Sequence, residues 1–198
     1  MKKKIKRRLQ RTQYIFYQET LVDFKDHFWS FLGAFFGIGL IAFVQSLQIS
    51  EIENIFLIGS FGASSVLVYG AVNSPLAQPR NLIGGHVLSA LVGVTIFKFL
   101  PEILWLNASI AVASSIVLMQ FTKTMHPPGG ATALIAVLPS EKIQELGYWY
   151  ALSPVLSGAM ILLIVALIFN NIPKGRKYPH HVRQSKYLHI RRVLKRRD

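Results

Sequence analysis

Long apolar runs alternate with short polar connections through most of the chain, and that rhythm predicts membrane helices. The runs at 28–47, "FWSFLGAFFGIGLIAFVQSL", 55–72, 103–122 and 148–170 contain no charged residue. A helix rises about 1.5 Å per residue, so twenty residues reach roughly 30 Å, the hydrocarbon thickness of a bilayer. A fifth run, 82–100, "LIGGHVLSALVGVTIFKFL", is interrupted by His86 and by Lys98, which lies close enough to the end to snorkel to the interface. A sixth and shorter apolar element, about 129–139, follows "MHPPGG". At eleven residues it covers only about 16 Å, so it is expected inside the protein rather than against lipid.

The placement of charge supports this division. Although 52% of the 198 residues are hydrophobic, 22 Lys and Arg stand against 9 Asp and Glu, a formal charge of +13. Most of the basic residues lie within the first and last 25 positions, which defines a basic tail at 1–27, a transmembrane domain at 28–170 and a second basic tail at 171–198. The run "MKKKIKRRLQR" is followed by no short apolar core with a cleavage site, so it is expected to remain attached. By the positive-inside rule both tails belong on the cytoplasmic-type side, which requires an even number of crossings. Six elements satisfy parity and put Arg80 and Lys123 inside with the tails, leaving Lys98 and Lys142 outside with Glu51, Glu53, Glu102, Glu141 and Glu145. Four crossings with two re-entrant elements satisfy it equally. The expected fold is therefore an all-α polytopic bundle of about six segments, with four to six crossings, in a bacterial-type plasma membrane or an organellar inner membrane.

An imperfect internal repeat is also visible. "ASSVLV" at 63–68 and "ASSIVL" at 113–118 are each followed by a proline-bearing connection, a "GG" pair and another small-residue helix. Paired Pro/Gly breaks of this kind point to binding sites in transporters.

Candidate chemistry concentrates at those breaks. Pro127 and Pro128 end the preceding helix, and Gly129 and Gly130 permit close approach and unusual angles. A helix beginning near Gly130 is expected to present unscreened N–H groups and the positive end of its dipole, which favours an anion. Gly84 and Gly85 are expected to do the same, with Arg80 upstream and His86 just after. The apolar segments hold His86 and His126 but no Asp or Glu, whereas a cation path normally shows a carboxylate. Thr124, Thr132, Ser64, Ser65, Ser114, Ser115, Asn73 and Asn81 are available to line a polar path. The alternative is that "HPPGG" is a tight connection, that His86 and His126 bond to neighbouring helices, and that Gly85, Ser89, Gly93 and the "GAFFGIG" run are packing faces.

"MHPPGGATALIAVL", together with "GSFGASSVLVYGAVNSPLAQPRNLIGGHVLSALVG" upstream, resembles the HPP family of integral membrane proteins over about residues 28–170. The resemblance implies about four membrane helices and a transport activity, with plant plastid members linked to nitrite. It carries over His126, Pro127, Pro128, Gly129 and Gly130 as the signature. Pro75, Gln78, Pro79, Arg80, Asn81, Gly84, Gly85 and His86 form a second matching region. Some family members carry an attached regulatory domain, and none is expected in this chain.

The function expected is passage of a small inorganic anion, nitrite first, along a path that includes His126, Pro127, Pro128, Gly129, Gly130, Thr132, Arg80, Asn81, Gly84, Gly85 and His86. Histidine is the only intramembrane side chain that titrates near neutral pH, so a proton-coupled mode would depend on His86 or His126. No enzyme activity is expected, because two histidines without carboxylates make a poor catalytic set. No metal site or cofactor is expected, and there is no cysteine to supply thiolates. The basic tails are expected to meet anionic lipid headgroups rather than nucleic acid, and the glycine-rich first span suits a homo-oligomer contact. The rival reading is a membrane scaffold or assembly protein that uses those tails on lipids or a partner.

Overall fold

The computed structural model describes residues 24–47 and 51–180, of which 51–56 as backbone only. All regular structure among them is helical. In chain order α1 is Phe24–Ser46, α2 is Glu51–Ser65 with a π-helical extension Val66–Gly70, and α3 is Pro79–Phe99. Next come α4, Leu104–Thr122, the short α5, Pro128–Val137, and the one-and-a-half-turn α6, Glu141–Leu146. A π-helical segment, Ala151–Leu156, then runs into α7, Ser157–Phe169.

Four of these are long and apolar enough to cross a bilayer: Phe24–Ser46, Pro79–Phe99, Leu104–Thr122 and Ala151–Phe169. Two shorter apolar helices, Leu57–Gly70 and Pro128–Val137, complete six segments. The expected all-α bundle is therefore present, with the short helix after "HPP" where the prolines put it. The 55–72 run differs in detail. Its helix begins at Glu51, and its apolar part is shorter than a full span. The first helix likewise starts ahead of the expected boundary at 28, since Asp26 favours the positive end of a helix dipole in its first turn.

Each helix starts and stops for local reasons. Pro79 and Pro128 occupy the first turn of α3 and α5, where a missing N–H costs nothing. Lys123, in the left-handed conformation at φ 57°, ends α4. Ser140 caps α6 by accepting the N–H of Ile143.

Two seams of small residues hold the bundle together. On α1, a Cβ at Gly33 or Gly37 would run into Tyr69, whose hydroxyl donates to the Leu162 carbonyl at 3.1 Å; α1, the end of α2 and α7 thus close on one ring. On α3, Gly85, Ser89 and Gly93 are all buried on one face, and α5 lies against it. A Cβ on Gly93 would meet the Ala133 carbonyl oxygen, and one on Gly129 would meet the Gly85 carbonyl oxygen and Ser89. Small residues let membrane helices approach until backbones touch, and dispersion then holds them. The packing-face reading of both runs is the one the structure supports.

The ends of the bundle are tied separately. At one end Arg80 donates to the Thr122 carbonyl and Asn81 to the Met125 carbonyl, pinning the loop between α4 and α5 onto the start of α3. Residues 171–180 fold back over the same end as a strap. Arg176 pairs with Asp26 at 2.7 Å and also donates to Ser30. The Tyr178 hydroxyl donates to the Ala77 carbonyl, and the His180 N–H to Gln78 Oε1. The starts of α1 and α3 and the ends of α4 and α7 therefore share one end of the bundle. At the other end Lys98 lies over the Tyr148 ring, 5.3 Å from its centroid. The basic positions 2–11 and 183–197 lie outside the described residues.

Candidate functional site

Ser60 and Ser64 are four residues apart on α2 and so share a face, which turns inward toward α3 and α5. His86 lies seven residues into α3, roughly 10 Å from its start. His126 is carried by the loop that reaches in over Gly84 and Gly85. A Cβ on Gly84 would strike Thr124, and one on Gly85 would strike the His126 side chain and the Thr124 carbonyl oxygen. Glycine at these positions is what lets the loop lie directly on the helix.

The result is a continuous buried string of hydrogen bonds. His126 Nδ1 is 2.8 Å from the Leu76 carbonyl oxygen, and its Nε2 is 2.9 Å from Ser64 Oγ. The same Oγ is 2.7 Å from His86 Nε2. His86 Nδ1 is 2.7 Å from Thr132 Oγ1, which is 2.9 Å from Ser60 Oγ, and Ser60 donates to the Pro128 carbonyl at 3.0 Å. The two imidazole centroids are 5.0 Å apart, and Phe61 covers His86 at 4.9 Å. Both histidines are fully buried, as are Ser64 and Thr132. Tyr150 lies behind Thr132 and donates to its carbonyl.

The sequence-derived candidates do not all meet at one place. His86, His126 and Thr132 meet, with Ser64, in one cluster. Pro128 supplies a carbonyl to it, while Pro127 is exposed. Arg80 is exposed and Asn81 half-buried, and both brace the loop from below. The glycines correct the expectation of open helix ends. Gly84 and Gly85 are inside α3, which begins at Pro79, and present no free N–H groups of a first turn. At α5 the N–H groups of Gly129 and Gly130 donate to the carbonyls of His126 and Pro127, at 2.8 and 3.0 Å. These donors close a tight turn instead of facing a ligand, because consecutive prolines force the chain to fold back on itself before the helix begins.

Ser65 and Ser115 bond to carbonyls of their own helices, and Asn73 is exposed. Ser114 lines a lateral groove with Val92, Val117 and Phe121. None of these joins the cluster. Ser60 and Tyr150 were not singled out from the sequence. The signal for Ser60 was its spacing from Ser64; Tyr150 had none, since only the packing of the segment after α6 brings it to Thr132.

The model of the transmembrane region of the HPP family matches residues 19–179. The chain belongs to the HPP family. Two transmembrane proteins of Dictyostelium discoideum are similar to it, one 47% and the other 45% identical over 163 residues, or 79% of this chain. The aligned region is 51% of the first and 56% of the second, so the chain spans about half the length of the curated relatives it matches. No solved structure matches it. The signature His-Pro-Pro of the family thus has a physical role in this fold. It delivers His126 to Ser64 and starts α5 against the glycine face of α3, while α4 has already ended at Thr122 through the left-handed Lys123, ahead of the prolines expected to stop it.

Proposed function

We propose that this HPP-family membrane protein transports a small inorganic anion, with nitrite as the leading substrate, and carries out no catalytic step. The observation that carries the reading is the buried string of imidazoles and hydroxyls, contributed by α2, α3, α5 and the "HPP" loop within a largely apolar bundle. Polar groups at membrane depth are costly and mark pathways. Among the described residues no carboxylate is buried, so a cation has no counter-charge there, whereas hydroxyls and imidazole N–H groups suit an anion.

The strap and the loops around Arg80 and Lys123 form the cytoplasmic-type face under this proposal, in a plasma or organellar inner membrane. The string itself is closed to solvent, so transport requires the loop at Thr124–Pro128 to move relative to α3. The breaks at Pro79 and Pro127–Pro128 give it hinges. Purified protein in liposomes should take up nitrite well above protein-free vesicles. Thr132→Val, which removes one hydroxyl with little change in shape, and His126→Ala should each cut that uptake severalfold. Uptake by the wild type no faster than by empty vesicles would sink the reading and favour a scaffold.

A further inference from the structure

Hydrogens can be counted along the buried string without choosing any tautomer. Its contacts are Leu76 carbonyl to His126, His126 to Ser64, Ser64 to His86, His86 to Thr132, Thr132 to Ser60, and Ser60 to the Pro128 carbonyl. Each of these six needs one hydrogen. Neutral imidazoles supply one each and the three hydroxyls one each, which makes five. Both ends are carbonyl oxygens, which only accept, so hydrogens must point outward at each end. Two lone pairs are then left facing one another somewhere between. Ser64 also lies 3.2 Å from the Ser60 carbonyl, and spending its hydrogen there leaves the string shorter still.

We propose that the His126–Ser64–His86–Thr132–Ser60 string is a binding site for a single proton, and that this proton is the coupling ion of transport. The coupling rests on the transport reading above; the proton site does not. One added proton completes the string. With the proton on His126, its Nε2–H donates to Ser64, Ser64 to His86 Nε2, His86 Nδ1–H to Thr132, Thr132 to Ser60, and Ser60 to the Pro128 carbonyl. With the proton on His86, its Nε2–H donates to Ser64, and Ser64 gives its hydrogen to His126 Nε2. These two arrangements differ only around Ser64. When Ser64 Oγ takes the hydrogen of one imidazolium and releases its own to the other imidazole, one N–H and one O–H bond break and one of each forms. The charge crosses from one ring to the other with the hydroxyl restored.

The surroundings make a proton and an anion partners. A lone charge at this depth is costly. The titratable groups around the pair are each other and the Tyr150 phenol behind Thr132. The described residues of α2, α4 and α5 bring no charged side chain to them, and Arg80 and Lys123, nearest in sequence, are exposed. With no carboxylate among the described residues to neutralise the protonated string, a small anion is the natural counter-charge, and the two leave together as a neutral load.

Ser64→Ala gives the decisive variant. It deletes two contacts and one hydrogen, so the four contacts that remain match the four hydrogens left, and the demand for an extra proton disappears. Full-length protein with 15N-labelled histidine in nanodiscs, titrated from about pH 8 to about pH 5, should show one imidazolium shared by His86 and His126. Both rings should stay neutral in Ser64→Ala, and Ser64→Thr, which keeps the hydroxyl, should restore the shared proton. In liposomes holding a trapped pH dye, nitrite entry beyond that of empty vesicles should carry protons one for one. Neutral rings throughout in the wild type overturn the proton site. Nitrite flux with no proton movement overturns the coupling and leaves anion transport standing. A shared proton without nitrite flux removes the transport reading and leaves the site.

Discussion

Two proline–glycine breaks shape this molecule, and they use the same residue types at different registers. Between α2 and α3 the chain turns through Pro75 and Pro79, and its glycine pair lies inside the following helix at 84 and 85. Between α4 and α5 it turns through Pro127 and Pro128, and its pair, 129 and 130, opens the next helix. The first pair forms a floor, the second slides over it, and Gly129 meets Gly85 backbone to backbone. Proline fixes where each helix begins, but the distance from proline to glycine decides whether the glycine lies within the helix as a floor or in its first turn. The two breaks are also held differently. The second is braced by Asn81 and Arg80 from α3, and the first by the strap through Tyr178 and the His180 N–H.

The contrast breaks most completely at the crossing point. Gly129→Ala puts a Cβ against the Gly85 carbonyl and Ser89, an overpacking that should cost about 3 kcal/mol, seen as a large fall in thermal midpoint in detergent. Gly85→Ala should match it, since its Cβ meets His126 and backbone. The strap comes next. Arg176→Ala removes a pair to Asp26 and donations to the Asp26 carbonyl and Ser30; with Asp26 partly exposed, the loss should be about 1.5 kcal/mol and should shrink in high salt.

On the opposite break, Asn81→Ala frees the Met125 carbonyl and should cost about 1 kcal/mol, with faster amide exchange confined to residues 122–128. Tyr178→Phe should cost about as much and change the alkaline limb. Burial raises the Tyr178 phenol above its ordinary value, so its contribution is complete at neutral pH and is lost as pH climbs beyond about 10. The variant should show a flatter loss of stability there. Gly130→Ala should have the smallest effect. Its Cβ meets only Val112 at 3.7 Å, and alanine in place of glycine in a helix favours folding by about 0.5 kcal/mol.

How much of this was legible depended on how local each cause was. Helix positions followed from apolar runs and from prolines that bar helical continuation. The small-residue face of Gly85, Ser89 and Gly93 was visible as a spacing. His86 and His126 stood out because a polar side chain in an apolar run is expensive. Their meeting was not legible. Ser64 and His126 are 62 residues apart, and nothing in either neighbourhood says that one hydroxyl will bond both rings. Reading Gly129 and Gly130 as an open anion site failed for a related reason. The glycines were recognised, but whether their N–H groups face outward depends on the turn made by His126 and Pro127, whose carbonyls take both.

By itself the sequence determined that this is a helical membrane protein, where its helices break, and which polar residues lie between them, because hydrophobic length and the fixed φ of proline act over neighbouring residues. Only the tertiary structure decided that α2, α3, α5 and one loop bring those residues into a single string. Hydrogen bonds are set by positions in space to within a few tenths of an ångström, and the glycine crossing that sets those positions joins segments far apart in the chain.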